Sequence, residues 1–269
     1  MEKLQAALDK ARESRTGAAP RAKTPKVRAG KPGQSERDAL WAALKPLDLD
    51  EPNLEMHRLV TREAGLAATP FDILRTKVFL QMRQNGWKRL AITSPMPNSG
   101  KSTTACNLAL GLGRQKDLRS IILDLDLRSP SVHELFGTRP ERSIGDVLSG
   151  EIDFADQALR IGDNVAVSMA RDPDKDPTRT LLSEGTAEVI ESIEATYKPD
   201  IMIFDLPSVL VNDDTRAFLK NVDCALIVVR ANATRYNQFD TCEREIAEHT
   251  NVLGVVLNAV VDSARSKSE

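Results

Sequence analysis

From residue 89 onward, short apolar runs alternate with segments whose apolar residues recur every three to four positions. Strands are expected at 89–93, 119–124, 165–169, 200–205, 223–229 and 253–259. Helices are expected at 71–82, 102–115, 179–197, 213–220 and 234–248. The strand runs, such as 121–123 and 226–229, are continuously apolar, as in strands buried on both faces. The pattern predicts an α/β fold: a mainly parallel, doubly wound sheet with helices on both faces. Upstream, a helix from Arg37 carrying Leu40, Trp41 and Leu44 opens the folded part, and 144–150 reads as a short helix stopped by glycine. Gly111 and Gly113 fall late in the helix at 102–115, where they mark its end and not a dinucleotide loop. No internal repeat is visible.

The polar residues at the carboxyl ends of these strands carry the chemistry. Strand 89–93 runs into Ser-Pro-Met-Pro-Asn98-Ser99-Gly100-Lys101-Ser102-Thr103, followed at once by a helical pattern. A helix N-terminus there turns backbone N–H groups and the positive end of its dipole toward an anion. Lys101 is placed to reach the β- and γ-phosphates of a nucleotide, and the Ser102 hydroxyl to ligate Mg²⁺, with Thr103 adding a second hydroxyl. The spacing Gly-x-x-x-x-Gly-Lys-Ser would put glycine at 95, where this chain has Pro95; Asn98 supplies a residue that tolerates left-handed backbone. Gly-Lys-Ser alone is common in loops. Two further apolar strands, however, stop at aspartate, at Asp124 (with Asp126 two residues on) and at Asp205. A lone strand-end aspartate reads equally well as a turn residue. Two of them downstream of a phosphate loop favour a metal site, with Asp124 and Asp205 beside Mg²⁺ and Asp126 free to accept a proton.

In that order, the phosphate loop, Ile-Ile-Leu-Asp124-Leu-Asp126-Leu-Arg128-Ser-Pro and Phe-Asp205-Leu-Pro-Ser resemble the bacterial tyrosine kinases of capsule and exopolysaccharide synthesis. Leu226-Ile-Val-Val-Arg230 and Gly254-Val-Val-Leu-Asn258-Ala add to the likeness, which runs from about residue 70 to 262. The resemblance implies a cytoplasmic Mg·ATP-dependent kinase or ATPase domain, recruited to the inner face of the plasma membrane by a membrane co-polymerase that controls polysaccharide length and export. It implies phosphate binding by residues 98–103, metal binding by Ser102, Asp124 and Asp205, Asp126 as base, and Asn258 at the adenine edge. The family's tyrosine-rich tail is absent: the chain has two tyrosines, Tyr197 and Tyr236, and ends Asp-Ser-Ala-Arg-Ser-Lys-Ser-Glu. Autophosphorylation is therefore expected at Tyr197 or Tyr236, or else on another protein. A Glu-x-x-Arg-x-x-Arg element linked to ring assembly aligns here with Thr69, Asp72 and Arg75, so one of its three charges survives. Partition and septum-site ATPases carry an extra lysine early in the loop; Met96 stands there, which favours the kinase-like branch.

Composition adds an arm to this picture. Within 269 residues, 41% hydrophobic content supports a sizeable core and 4% aromatic suits an α/β protein. The division expected is an arm at 1–36 and a P-loop domain at 37–269. Residues 1–15 read as a short amphipathic helix with Leu4, Ala7, Leu8 and Ala11 on one face, and 16–35 as a flexible basic linker. The arm carries nine Lys and Arg against four Asp and Glu, in a chain of net charge −2. That asymmetry fits either a tether to an anionic surface or partner, or a solvated tail. No nucleic acid is expected as a partner, and a homo-oligomer is left open. Cys106, Cys224 and Cys242 show no metal-binding spacing; Cys106 and Cys224 are expected to be plain core thiols in a reducing compartment. His57, His133 and His249 are scattered, no run is long enough to span a bilayer, and no secretory signal is seen.

Overall fold

The computed structural model describes residues 32–261, with side chains from Glu36. The chain divides into residues 1–35 and 36–269. The expected amphipathic helix at 1–15, the linker up to residue 31 and the tail from 262 lie outside the described residues.

The elements run α1 (Pro32–Ala43), β1 (Lys45–Pro46), α2 (Glu51–Met56), α3 (Thr69–Asn85), β2 (Arg89–Thr93), α4 (Lys101–Gly113), β3 (Ser120–Asp124), α5 (Val132–Leu135), α6 (Ile144–Leu148) and α7 (Phe154–Gln157). There follow β4 (Leu159–Ile161), β5 (Val165–Ser168), α8 (Pro177–Leu182), α9 (Glu184–Tyr197), β6 (Ile201–Asp205), α10 (Asp214–Leu219), β7 (Cys224–Arg230), α11 (Tyr236–Ala247) and β8 (Asn251–Asn258). One eight-stranded sheet has the order β1-β4-β5-β3-β6-β2-β7-β8. Every pairing is parallel except β4 with β5.

The continuous apolar runs are explained by two cores, one on each face of the sheet. One holds Ile92, Ile122, Ile203 and Val228 against α3, α4 and α5. The other holds Leu123, Phe204 and Ile227 against the remaining large helices, with Trp41, Phe218 and Ile246 among the residues that fill it. Strand residues of β2, β3, β6 and β7 are thereby stripped of water on both sides, which makes this sheet the main apolar burial of the fold.

Three expectations change. The first helix begins at Pro32, inside the segment read as linker; proline is well accommodated at a helix's first position because its missing N–H has no intrahelical partner there. The helix expected at 179–197 is two helices. Ser183 breaks it: its backbone is extended and its hydroxyl accepts from Gly185 N at 3.2 Å, capping α9. The strands β1 and β4 were not foreseen, being two and three residues long and too short for any periodicity.

Candidate functional site

The phosphate loop joins β2 to α4 at the carboxyl edge of the sheet. Its shape comes from two residues with left-handed backbone, Asn98 (φ 60°) and Gly100 (φ 87°). Gly100 is required twice over, since a Cβ there would also fall 2.1 Å from the Asn258 amide nitrogen. The loop's carbonyls are drawn away from its interior by side chains. Ser94 and Ser99 hydroxyls both donate to Met96 O at 2.8 Å. Arg230 donates to Asn98 O at 2.8 Å, and Asn258 Nδ2 donates to Ser99 O at 3.0 Å. Gly100 O accepts from Thr104 N and its hydroxyl, at 2.9 and 2.7 Å. With the acceptors held, the N–H groups at the start of α4 stay available to an anion, as at any helix N-terminus.

The loop after β6 is stitched to this one. Thr93 donates to Pro207 O at 2.6 Å, Ser94 and Ser208 hydroxyls lie 3.1 Å apart, and Val209 N donates to Ser94 O at 2.9 Å. Lys101 is buried between them, its Nζ 3.5 Å from Ser208 Oγ and 3.9 Å from Asp126 Oδ2.

Asp124 and Asp205 are register partners at the ends of the neighbouring strands β3 and β6. Both are fully buried. Asp124 Oδ2 accepts from Val132 N at 3.2 Å; its Oδ1 and both oxygens of Asp205 have no partner among the described residues. Burial pushes the Asp205 carboxyl up to about 7, against the opposing pull of Lys101 and the Ser102 hydroxyl, with Asp126 adding to the rise. That hydroxyl lies near Asp205 but falls short of a hydrogen bond to either oxygen. Asp124 rises for burial first and for Asp205 second. Asp126 also rises through burial, partly offset by Lys101 and by the Ser129 N–H. Three carboxyls pressed together with unmet acceptors cost free energy unless a cation compensates them.

Magnesium fits these residues. Hard cations take oxygen donors, and the orphaned oxygens of Asp124 and Asp205 with the Ser102 hydroxyl supply them. Mg²⁺ keeps several of its waters and takes one or two carboxylates, which these residues can supply.

The structure thus brings Asn98 to Thr103, Asp124, Asp126, Asp205 and Asn258 to one place. Asn258 is there with its amide turned onto the loop carbonyl. Reading the sequence left three participants without a role. Arg230 and Ser208 brace the loop, as above. Arg128, at the end of the Asp-x-Asp-x-Arg run, forks onto buried Asp214 with contacts of 2.6 and 3.0 Å, and Thr178 donates to the same carboxylate. The only signal for Arg128 was its place in the motif; the others depend on contacts more than a hundred residues apart in the chain.

Two expectations are corrected or narrowed. Tyr197 is 6% exposed and packed edge-on against Trp41 and Phe154 with centroids 6.2 and 5.0 Å away, which makes it a poor phosphate acceptor in the folded protein. Tyr236 is 80% exposed. On α3, Asp72 accepts from Arg75 at 2.9 Å and Arg114 at 2.7 Å, and Arg75 also donates to Gly111 O, so these charges serve the fold itself. Cys106 and Cys224 are free and buried, as expected of core thiols, and so is Cys242.

The tyrosine-protein kinase YwqD of Bacillus subtilis is 26% identical over 202 residues, covering 74% of this chain and 84% of YwqD. The tyrosine-protein kinase Wzc of Salmonella typhimurium is 27% identical over 204 residues; the match covers 75% of this chain but only 28% of Wzc. The kinase domain of the Escherichia coli tyrosine kinase Etk superposes with a TM-score of 0.67 at 24% identity, covering 73% of this chain and 77% of that one, a likeness of fold. Residues 90–269 match the family described as the CobQ/CobB/MinD/ParA nucleotide binding domain, and the chain belongs to that family of P-loop proteins.

Proposed function

We propose that this chain is a Mg·ATP-dependent phosphotransferase or ATPase of the bacterial tyrosine-kinase type, working with a membrane co-polymerase to regulate exopolysaccharide or capsule polymerisation and export. The observation that carries the reading is the set of partnerless, buried oxygens on Asp124 and Asp205 beside Lys101 at the mouth of the phosphate loop. In this reading the N–H groups of residues 98–103 and Lys101 hold the β- and γ-phosphates. Ser102, Asp124 and Asp205 hold Mg²⁺, which when bound neutralises charge on the transferring phosphoryl group. Asp126, the most exposed of the three carboxylates, takes the proton of the attacking hydroxyl or water. Asn258 and Arg230 keep the loop in shape, with Asn258 reaching the adenine edge. The arm tethers the domain to its partner at the membrane's inner face.

Transfer of labelled γ-phosphate by the full chain, with and without the membrane partner, tests this. Incorporation into tyrosine, on Tyr236 or on the partner, is expected, and it should vanish in Lys101→Met. Phosphate on Ser263, Ser266 or Ser268 would overturn the tyrosine-kinase assignment. Deleting residues 1–31, which spares α1, should leave nucleotide binding intact and reduce co-purification with the partner.

A second reading, a nucleotide-gated adaptor with little turnover, is favoured by the burial of Tyr197 and by the internal use of Asp72 and Arg75. It predicts nucleotide-dependent partner binding without label transfer. A partition-type ATPase is disfavoured by Met96 where those proteins carry lysine.

A further inference from the structure

The two edges of the sheet are built differently. At one edge β1 is two residues long, Lys45-Pro46, and carries both a charge and a residue that cannot donate. Such edges resist pairing with another strand. At the other edge β8 is eight residues long, Asn-Val-Leu-Gly-Val-Val-Leu-Asn, with no charge and no proline. Among the described residues its one neighbour is β7. Val255 and Leu257 stand 46% and 60% exposed on it, while Val256 between them packs into the core on the opposite face. An exposed, uncharged, apolar edge of this length is one that soluble proteins normally guard.

The backbone direction decides what such an edge can do. Asn258 O accepts from Ala231 N on the β7 side. Successive residues of a strand turn their N–H and C=O to opposite sides, so those of Leu257 and Val255 face outward, unpaired with β7. The residues whose backbone groups are free are therefore the same two whose apolar side chains are exposed.

We propose that β8 is an interface between two copies of this chain, paired antiparallel about a two-fold axis at Val256. That register sets Val255 opposite Leu257 of the second copy, and Leu257 opposite its Val255, as two hydrogen-bonded pairs. Side chains directly opposite in an antiparallel pair share a face, so each exposed valine is covered by an exposed leucine. Gly254, with open space where a side chain would stand, falls opposite Asn258. The strand suits itself: apolar meets apolar and no like charges are brought together. A two-fold contact of this kind is isologous and closed, which makes a dimer and not a fibre. The occupant is a second copy because the strand's own sequence satisfies both sides of the pairing. The inference is independent of what the nucleotide site does.

Light scattering on the full chain without nucleotide tests it. A mass twice the 29.6 kDa chain is expected. Leu257→Pro removes an outward N–H without touching the β7 ladder and should raise the dimer dissociation constant about 10–100-fold. Val255→Lys should do the same, and Val255→Lys with Leu257→Glu in one chain should restore the dimer, because the register sets each Lys opposite a Glu. Circular dichroism confirms that each variant folds. A monomeric parent chain overturns the proposal, as does a dimer that survives Leu257→Pro. A folded double variant that stays monomeric overturns the register and with it the two-fold pairing.

Discussion

Strand β6 carries an aspartate at each end, and the two live in opposite circumstances. Asp200, just before the strand, accepts the Arg119 N–H at 2.8 Å and pairs with Arg37 at 3.4 Å. Asp223, at the same amino edge before β7, accepts the N–H groups of Lys88 and Arg89 at 2.7 and 2.8 Å. Glu194 nearby takes Arg89 at 2.7 Å. At the carboxyl edge, Asp205 and one oxygen of Asp124 have no donor among the described residues, though both residues are fully buried. The residue type is the same at the two edges; the supply of donors differs. Carboxylates at the amino edge fasten loops to strands. Those at the carboxyl edge are costly to the fold alone, and such cost is the mark of a site whose compensation arrives with a ligand.

The sharpest way to break this contrast is at the residue given a chemical task. Asp126→Asn should lower phosphotransfer or ATP hydrolysis about 10²–10⁴-fold, the usual loss for a positioned base, while nucleotide affinity stays near that of the parent. Steady-state kinetics with a nucleotide-binding titration checks it. Full turnover in that variant would return Asp126 to the fastening class. Lys101→Met, which removes a charge-assisted contact, should reduce binding and turnover together.

The next effect runs in the opposite direction. Asp205→Asn should stabilise the ligand-free protein at neutral pH, because a neutral amide escapes the desolvation that raises the Asp205 carboxyl to about 7. The sign follows from proton linkage. The folded state holds its proton up to about 7 and the unfolded state releases it near the ordinary value of 3.8, so ligand-free stability falls as pH rises between those limits. At about 1.4 kcal/mol per unit, the gap between variant and parent should grow to an order of 2–4 kcal/mol by neutrality and shrink toward nothing near pH 4. Denaturant melts of both proteins across that range measure it. In the presence of Mg·ATP the order should reverse, with the parent the more stabilised.

The contrast also shows why some of this protein could be read from its sequence and some could not. Strands β2, β3, β6 and β7 were legible because burial on both faces leaves short apolar runs bounded by polar turn residues. Asp124 and Asp205 were legible because they end such runs, and Lys101 because it follows Gly100 at the start of a helix. Tyr197 shares the stripe of Thr186, Ile190 and Ile193 along α9, so its burial lay in the helical spacing and was overlooked as an acceptor question. Ser208 and Arg230 carry no local mark: each matters only because distant loops meet at Lys101 and Asn98. The difference between Asp200 and Asp205 was likewise invisible, since both stand beside an apolar strand and only the fold reveals which receives donors.

The smallest expected effect tests the amino edge. Asp223→Ala would strip the Lys88 and Arg89 N–H groups of their shared acceptor. Lys88 is exposed enough for water to take over; the N–H of Arg89, partly buried at the start of β2, is served less well. A lost acceptor for a partly buried donor costs about 1–3 kcal/mol. The loss should leave the dissociation constant for Mg·ATP unchanged, because β2 carries the phosphate loop at its far end, five residues away. Denaturant melts read the first quantity and a binding titration the second. A variant as stable as the parent but weaker in nucleotide binding would invert the assignment, making Asp223 part of the site and leaving the two edges of the sheet without the division of labour that their donors suggest.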